Sequence, residues 1–219
     1  MNSILTIYTL CYGSTDFEGI SRYTGLVSAG RQDRIRRFVR NEDKTSSLLS
    51  GLLVRHVLSD ITNIPWNELE FSYGAYGKPY LSDRPDCCFS MSHTNGFTVM
   101  TADNLAIGID TENFTNYFDD YIQISEQNFS EHETQTIKNA DEPLKKFYDI
   151  WTSREAYVKM KGYGLDSINC QFDSLADSSE YHIITEHIGD FSVSVCCRSG
   201  ISEIAVSKLD IRQILKGDQ

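Results

Sequence analysis

Two carboxylates stand two positions apart in the segment Ile-Gly-Ile-Asp-Thr-Glu, residues 107–112. Because the side chains of a strand alternate between its two faces, Asp110 and Glu112 are expected to point to the same side. Two carboxylates on one face repel each other unless a proton or a cation lies between them. Mg²⁺ is a cation that prefers oxygen ligands of this kind. The motif alone is short, and a solvated strand end is its simpler interpretation.

A second polar group falls on one face of a predicted helix. Trp151, Glu155 and Lys159 are spaced at i, i+4 and i+8, which puts them on the same side of a helix. They could form one wall of a site. They could equally be a surface Glu–Lys pair beside a core tryptophan.

Two further segments could contact an anion. The turn Ser-Met-Ser-His-Thr-Asn-Gly, residues 90–96, can aim hydroxyls, backbone N–H groups and the His93 imidazole at a phosphate, or it can be an ordinary hairpin turn. Lys78 is presented by the Gly/Pro-framed turn 76–80. Five arginines fall within ten residues, and they indicate either a phosphate-bearing ligand or a solvated helix face: Arg31, Arg34, Arg36, Arg37 and Arg40.

Composition sets limits on what the chain can be. Its 219 residues carry 20 Lys and Arg against 31 Asp and Glu, a formal net charge of -11, which argues against bulk nucleic-acid binding. The hydrophobic fraction of 40% excludes a disordered chain. The 6 cysteines contain no C-x-x-C motif and fit reduced thiols. We expect no secretory leader, no membrane span and a cytoplasmic location.

The elements that must position these residues follow from the apolar patterning. Strands are predicted over 4–10, 69–73, 87–92, 97–101, 105–110, 181–188, 191–197 and 203–207. Helices are predicted over 18–40, from a cap at Asn41 to about 64, and from Pro143 to about Lys161, where Gly162 and Gly164 end the last one. A hairpin turn is predicted at 103–104. This order predicts an α+β fold with two halves, residues 1–107 and 108–219.

The order of the motifs says more than any one of them. Between about residues 31 and 165 the chain contains R-R-F-x-x-x-E-D, G-K-P, S-x-S-H, G-I-D-x-E, W-[ST]-x-[KR]-E-A-x-x-K and G-x-G-L in succession. This order resembles that of the 4′-phosphopantetheinyl transferases of the Sfp type, which prime non-ribosomal peptide synthetases in antibiotic or siderophore biosynthesis. The resemblance implies two similar α+β lobes in a pseudo-twofold arrangement, with the active site between them, in a monomer.

The resemblance also implies the reaction and its residues. The phosphopantetheine arm of coenzyme A passes to a serine of an acyl or peptidyl carrier protein, with Mg²⁺ as cofactor, and 3′,5′-ADP leaves. The metal ligands implied are Asp110, Glu112 and Glu155. The coenzyme A contacts implied are Arg31, Arg34, Lys78, Ser92, His93 and Lys159. The catalytic residues implied are Glu155, Lys159, His93 and Glu133, with Glu133 helping to activate the carrier serine.

The chain departs from the family pattern in three places. Ser46 stands where the family usually has a basic residue, Arg154 replaces a lysine, and Tyr163 replaces the lysine of G-K-G-L. Two other functions stay open, namely a Mg²⁺-dependent nucleotide pyrophosphohydrolase and a non-catalytic carrier-protein binder.

The segment 113–130 is rich in aromatic residues and follows the two metal carboxylates directly. Aromatic side chains are enriched at interface hot spots. We therefore expect the carrier protein to dock on Phe114, Tyr117 and Tyr121, of which at least two should be exposed.

Overall fold

The computed structural model describes residues 3–163, 171–198 and 201–215. Within these ranges the strands are β1 (Ser3–Cys11), β2 (Phe71–Tyr73), β3 (Pro79–Leu81), β4 (Cys88–Thr94), β5 (Phe97–Asp103), β6 (Ile107–Asn113), β7 (His182–Ile188), β8 (Phe191–Cys197) and β9 (Ile201–Leu209). The helices are α1 (Phe17–Ile20), α2 (Ala29–Arg37), α3 (Asn41–Thr62), α4 (Tyr121–Asn128), α5 (Glu131–Lys138), α6 (Pro143–Lys161) and α7 (Ile211–Leu215). No helix in these ranges is both long and apolar enough to cross a membrane.

The strands form two main sheets and a small hairpin. The first sheet has the order β4-β5-β1-β9, with β1 antiparallel to β5 and parallel to β9. The second has the order β6-β8-β7 and is antiparallel throughout. Strands β2 and β3 pair with each other and form a separate hairpin.

A long helix covers each main sheet. The apolar residues of α3, such as Leu48 and Leu52, are fully buried in a core that includes Leu10 and Met100 of the first sheet. Helix α6 lies against β6 and β8, and Ala156, Met160 and Cys196 form part of that contact. Helix α6 begins at Pro143, as predicted, and is capped at its C-terminal end by Gly162, whose φ of 71° suits a left-handed cap.

Gly108 lets α6 approach β6 closely. A Cβ atom at this position would lie 2.0 Å from the Ala156 carbonyl oxygen and 2.4 Å from the Met160 nitrogen. Only glycine fits there, and the close approach sets the carboxylates of β6 beside the polar face of α6.

The two sheets share one apolar cluster. Leu5 and Val99 of the first sheet pack in the same cluster as Ile109 and Val195 of the second. The predicted α+β fold with two helix-covered lobes is confirmed. The division at residues 107 and 108 stays a prediction, and the C-terminal strand β9 joins the sheet of the first lobe.

Three local predictions were wrong. The stretch 18–40 is broken into α1, a 3₁₀ turn at Ser21–Leu26 and α2, because the backbone leaves the helical region at Val27 and Ser28, with ψ angles of 166° and 150°. Asn41 is the first residue of α3 and the cap position is Arg40, which makes no side-chain cap hydrogen bond. Residues 103–104 do not form a hairpin, because β5 is already paired on both sides by β4 and β1.

Candidate functional site

A cleft of about 750 Å³ separates α2, the β2–β3 hairpin and β4 on one side from the end of α6 on the other. All six side chains expected to contact coenzyme A line this cleft: Arg31, Arg34, Lys78, Ser92, His93 and Lys159. Glu155 lines it too. The structure therefore brings together residues up to 128 positions apart in the chain (159 - 31), as the resemblance implied.

Lys159 and Asp110 form a polar centre beside the cleft: Lys159 lines the cleft, whereas Asp110 and Glu112 are not among its lining residues. The Lys159 Nζ donates to Asp110 Oδ1 at 2.6 Å and to Ser92 Oγ at 3.0 Å. The Ser92 hydroxyl also donates to Asp110 Oδ1, at 2.7 Å. Asp110 is 5% exposed, so these hydrogen bonds hold its carboxyl group in a place that water hardly reaches. The three residues come from β4, β6 and α6, so the centre exists only when both lobes are folded.

A hydrogen bond between a backbone N–H of β6 and a side chain of β4 joins the two strands at this point. The Ile109 N–H donates to Ser90 Oγ at 3.1 Å. Ser90 is buried, and its hydroxyl supplies a partner to an N–H on the β6 edge that faces away from β8. The bond helps to place Ser92, two residues after Ser90, beside Asp110, one residue after Ile109.

Glu112 and Glu155 share the negative charge of this centre. Burial, the neighbouring Asp110 and the two glutamates' own repulsion raise the pKa of Glu112 to about 7, while Lys159 and a Thr94 hydrogen bond act in the opposite sense. Burial and Asp110 likewise raise the pKa of Glu155 to about 7 against the pull of Lys159 and Arg154. Three carboxylates therefore lie close enough to oppose each other's ionisation.

These carboxylates fit a hard cation by their chemistry. Asp110 Oδ2 is buried and has no hydrogen-bond partner among the described residues. An oxygen left without a partner, beside two carboxyls that resist ionisation, is a donor set that a Mg²⁺ ion would neutralise. The side chains do not yet converge on one point. In the described ranges no three His, Cys, Asp or Glu side chains form a ready metal cluster, and the Lys159 ammonium lies on Asp110 Oδ1 instead.

His93 lies among positive charges. Displacement of water by the cleft walls and the charges of Arg31, Lys159 and Arg34 lower the pKa of His93 to about 4. The side chain is exposed at the surface of the cleft. A neutral imidazole at neutral pH follows, able to donate one hydrogen bond.

Lys78 lines the cleft by its stem, but its ammonium is committed elsewhere. The Nζ donates to the carbonyl oxygens of Ile107 at 2.8 Å and Lys159 at 2.6 Å, with Met160 at 3.5 Å. Burial lowers the pKa of this lysine. The expected charge contact of Lys78 with coenzyme A is thus corrected: the charge caps α6, because the last carbonyls of a helix lack intrahelical partners.

The burial and the contacts of Glu133 contradict the predicted catalytic role of this residue. Its side chain is fully buried, and Oε2 pairs with Arg154 Nη1 at 2.6 Å. Oε1 accepts from the Ser174 N–H and hydroxyl at 2.8 and 2.7 Å, and Oε2 also closes a capping box with Ser130. A carboxylate with both oxygens occupied and no solvent contact cannot reach a serine that arrives from outside. Arg154, the replacement for the family lysine, serves this buried pair.

The expected docking residues differ in exposure. Tyr117 is 72% exposed. Phe114 and Tyr121 are partly buried and pack on the cluster around Phe147. The expectation that two of the three are exposed was wrong. The Phe114 ring packs against His187 and lies under Lys145, and the Tyr121 ring packs against Phe118 and Phe147.

Sequence reasoning missed several residues of the cleft. Tyr73 and Tyr76 are 54% and 68% exposed and line it. Gly51 lies beneath Arg31. Exposed tyrosines next to a Gly/Pro turn were a usable signal, whereas nothing in the sequence links Gly51 to Arg31, 20 positions away (51 - 31).

Two of the departures from the family pattern can be located. Ser46 is buried and accepts a hydrogen bond from the Tyr12 hydroxyl at 2.8 Å, so it does not face the cleft. Tyr163 is 53% exposed at the cleft edge. Gly164 and Leu165 of the last motif lie outside the described residues.

Comparison with known families gives two matches that adjoin. A family model described as 4′-phosphopantetheinyl transferase, N-terminal, matches residues 16–105. A second, described as the 4′-phosphopantetheinyl transferase superfamily, matches residues 106–209.

Curated relatives agree with these matches. The chain is 32% identical over 146 residues to 4′-phosphopantetheinyl transferase Sfp of Bacillus subtilis (strain 168), covering 66% of this chain and 64% of that protein. It is 33% identical over 150 residues to the transferase ffp of Bacillus subtilis, covering 68% and 66%. With the rat L-aminoadipate-semialdehyde dehydrogenase-phosphopantetheinyl transferase it shares 28% over 152 residues, 64% of this chain and 49% of that one. The matched segment thus spans 64% and 66% of the two bacterial relatives.

A solved structure, the Thermotoga maritima holo-[acyl-carrier-protein] synthase, superposes with a TM-score of 0.35 at 15% identity. The superposition covers 43% of this chain and 63% of that one. Nothing below rests on it.

Proposed function

Since the chain belongs to the 4′-phosphopantetheinyl transferase superfamily, we propose that it transfers the 4′-phosphopantetheine arm of coenzyme A to a serine of a carrier protein and releases 3′,5′-ADP. The observation that carries the proposal is the cleft. Its basic side lies next to the carboxylates Asp110, Glu112 and Glu155, here called the acidic floor, as an anionic donor and a reacting hydroxyl require. Glu155 lines the cleft, and Asp110 contacts the cleft residue Lys159.

The basic side of the cleft would bind the phosphates of coenzyme A. Arg31 and Arg34 supply fixed positive charge, and guanidinium groups bind phosphate oxygens through paired N–H donors. The neutral His93 donates a hydrogen bond whose presence does not change between about pH 6 and 8. Ser92 adds a hydroxyl on the same strand.

Lys159 and the carboxylates would perform the transfer. The serine oxygen forms a bond to the β-phosphorus as the bond from this phosphorus to the leaving oxygen of 3′,5′-ADP breaks. The Lys159 ammonium, held by Asp110 in the resting cleft, stabilises the charge on the phosphate oxygens. One carboxylate of the acidic floor accepts the serine proton, and carboxyls with a pKa of about 7 are suited to this at neutral pH.

Asp110, Glu112 and Glu155 would hold Mg²⁺. When bound, the ion supplies charge neutralisation to the pyrophosphate. We propose Mg²⁺ because all the donors are carboxylate oxygens.

We further propose that the protein acts as a monomer in the cytoplasm, on carrier domains of non-ribosomal peptide synthetases or related acyl carriers, without nucleic acid or membrane. The cleft is completed by one chain. The five cysteines in the described ranges are unpaired, as in a reducing compartment.

The test is a mass measurement on an apo carrier protein incubated with this protein, coenzyme A and MgCl₂. We expect the carrier to gain the mass of one phosphopantetheine arm, and a carrier with alanine in place of its serine to gain nothing. Incubation without carrier should leave coenzyme A intact. Release of free phosphopantetheine in that control would instead identify a pyrophosphohydrolase, and no change in either reaction would leave a carrier-protein binder.

A further inference from the structure

Gly51 is an unusual residue for its position. It lies in the middle of α3, a 22-residue helix whose surrounding side chains are buried. Alanine is favoured over glycine in helix interiors, so a glycine here costs helix stability unless its missing side chain serves something else.

The space above Gly51 is filled by Arg31 of α2. A Cβ atom on Gly51 would lie 2.5 Å from Arg31 Cδ and 2.9 Å from Arg31 Nε, with Val27 Cγ1 also at 2.9 Å. The stem of Arg31 therefore lies directly on the helix backbone. Any larger residue at 51 requires the arginine to leave this path, since contacts this short are not tolerated.

The guanidinium of Arg31 is oriented but lacks a negative partner in the described part of the chain. Nη1 donates to the Ser47 carbonyl oxygen at 3.0 Å, and Nη2 contacts Met91 Sδ at 3.6 Å. Burial and the charges of Arg34 and Arg55 lower its pKa to about 10, against an opposing effect of Tyr73. The group stays charged at neutral pH, and a partly buried charge without a counter-ion is set to receive an anion.

We propose that Gly51 is a positioning residue that holds the Arg31 guanidinium in place for the 3′-phosphate of coenzyme A, and thereby sets the preference for coenzyme A over its 3′-dephospho form. The inference rests on the proposed function for the identity of the anion. The mechanical link between Gly51 and Arg31 is independent of the proposed function, because it follows from the contacts described above.

The mechanical link is tested without any substrate. The arginine-selective reagent phenylglyoxal is added to the wild type and to Gly51→Ala, and adducts are located by peptide mass spectrometry. We expect Arg31 to react several-fold faster in Gly51→Ala, with exposed Arg34 reacting at equal rates in both proteins as an internal reference. Gly19→Ala is the matched control, because a Cβ at this helical glycine meets nothing within 4 Å. Equal Arg31 rates in Gly51→Ala and the wild type would overturn the inference, even if the protein proves to be a transferase.

The functional link is tested with a double-mutant cycle on kcat/KM for coenzyme A and 3′-dephospho-coenzyme A. Loss of a hydrogen bond to a charged group predicts about a tenfold fall or more for coenzyme A in Gly51→Ala, mostly through KM, and little change for the dephospho form. Gly51→Ala should add nothing in an Arg31→Ala background. A glycine needed only for folding would lower both substrates equally and would act independently of Arg31, which would defeat the proposal.

Poor folding of Gly51→Ala is also informative. Thermal unfolding is compared for Gly51→Ala and the double variant Gly51→Ala/Arg31→Ala. Recovery of stability in the double variant supports the inference, because it identifies Arg31 as the side chain that the new methyl group displaces. Equal loss in both variants contradicts it.

Discussion

At the scale of single residues, the carboxyl groups of Asp110, Glu112 and Glu155 repel one another, and the protein alone does not remove this repulsion. The pKa values of Glu112 and Glu155 are about 7, against the usual 4.5. A raised pKa means that the folded protein binds protons that the unfolded chain has already released. Lys159 pairs directly with Asp110 and only partly opposes the rise in the pKa values of the two glutamates. One buried Asp110 oxygen has no hydrogen-bond partner among the described residues.

Metal-free stability should therefore depend on pH in a defined direction. Between pH 4.5 and about 7 the folded state binds more protons, so the free energy of unfolding falls as pH rises through this window and levels off above it. Thermal unfolding in EDTA measures this. The variant Glu112→Gln/Glu155→Gln should lack this part of the decline. Added Mg²⁺ should raise the Tm of the wild type more at about pH 8 than at about pH 5, and an equal rise in the double variant would show that the metal binds elsewhere.

Arg34 offers a second test at this scale, since it is exposed and lines the cleft. Arg34→Ala should lower kcat/KM for coenzyme A by about tenfold, mainly through KM, because a charge-assisted contact to the 3′-phosphate is lost. Arg36 is the matched control: it lies on the same helix but pairs with Asp33 at 2.6 Å on the surface. Arg36→Ala should stay within about twofold of the wild type. If Arg34→Ala loses the same factor on 3′-dephospho-coenzyme A, the assignment to the 3′-phosphate fails.

At the scale of elements, Lys78 joins the β2–β3 hairpin to the end of α6. Its ammonium donates to carbonyls of β6 and α6, one of them belonging to Lys159 itself. Lys78→Met should lower the free energy of unfolding by about 1–3 kcal/mol, because buried carbonyls lose a charged donor. It should also lower kcat, because the backbone under Lys159 is released. Lys161→Met, which removes a surface pair with Glu180 and a cation–π contact with Tyr157, should cost about 1 kcal/mol or less. A Lys78→Met protein that keeps full stability and loses only coenzyme A affinity would restore the direct-contact role.

Glu133 and Arg154 give α5 and α6 a buried ion pair, which also fixes residues 172–174. Glu133→Gln removes the carboxylate of this pair, and breaking a buried ion pair costs about 3–5 kcal/mol. Urea unfolding should show that loss, while kcat at a temperature where the variant is folded should change little. A stable but inactive Glu133→Gln would return the residue to the catalytic group.

Element prediction from the sequence succeeded where a local rule decided the outcome. Helix α6 begins at Pro143 and is capped by Gly162, because proline and glycine each restrict or permit the backbone angles of their own position. The same-face position of Asp110 and Glu112 follows from strand alternation. Pairing failed where a distant element decided it: β6 does not pair with β5, because β1, about ninety residues earlier, already occupies that edge.

Which residues line the cleft was easier to predict than what each of those residues does. Motif order identified Ser92, Lys159 and Asp110, which the fold brings into one hydrogen-bonded group. It did not reveal that the charged groups of Lys78 and Glu133 are occupied by structural contacts, Lys78 with backbone carbonyls and Glu133 with Arg154. A residue's type shows what it can bind, whereas its burial and its backbone neighbours determine what remains free to bind.

At the scale of the whole molecule, charge limits how a carrier protein can approach. The chain has a formal net charge of -11, and carrier domains are commonly acidic around their serine. Long-range attraction between two negative molecules is weak or absent, so affinity must come from local contact. Tyr117 is 72% exposed and follows β6, the strand that carries Asp110 and Glu112, by four residues.

Tyr117→Ala should therefore weaken carrier binding while leaving coenzyme A binding unchanged. An exposed tyrosine at an interface centre contributes about 1–3 kcal/mol, which predicts a KM for the carrier raised about fivefold or more. Tyr80→Ala is the control, because Tyr80 is 44% exposed but lies on β3, outside the segment 113–130. Binding by the wild type should persist as salt is added, since screening removes more repulsion than attraction. Binding that collapses at moderate salt, with Tyr117→Ala unaffected, would instead place the docking surface on the exposed arginines of α2.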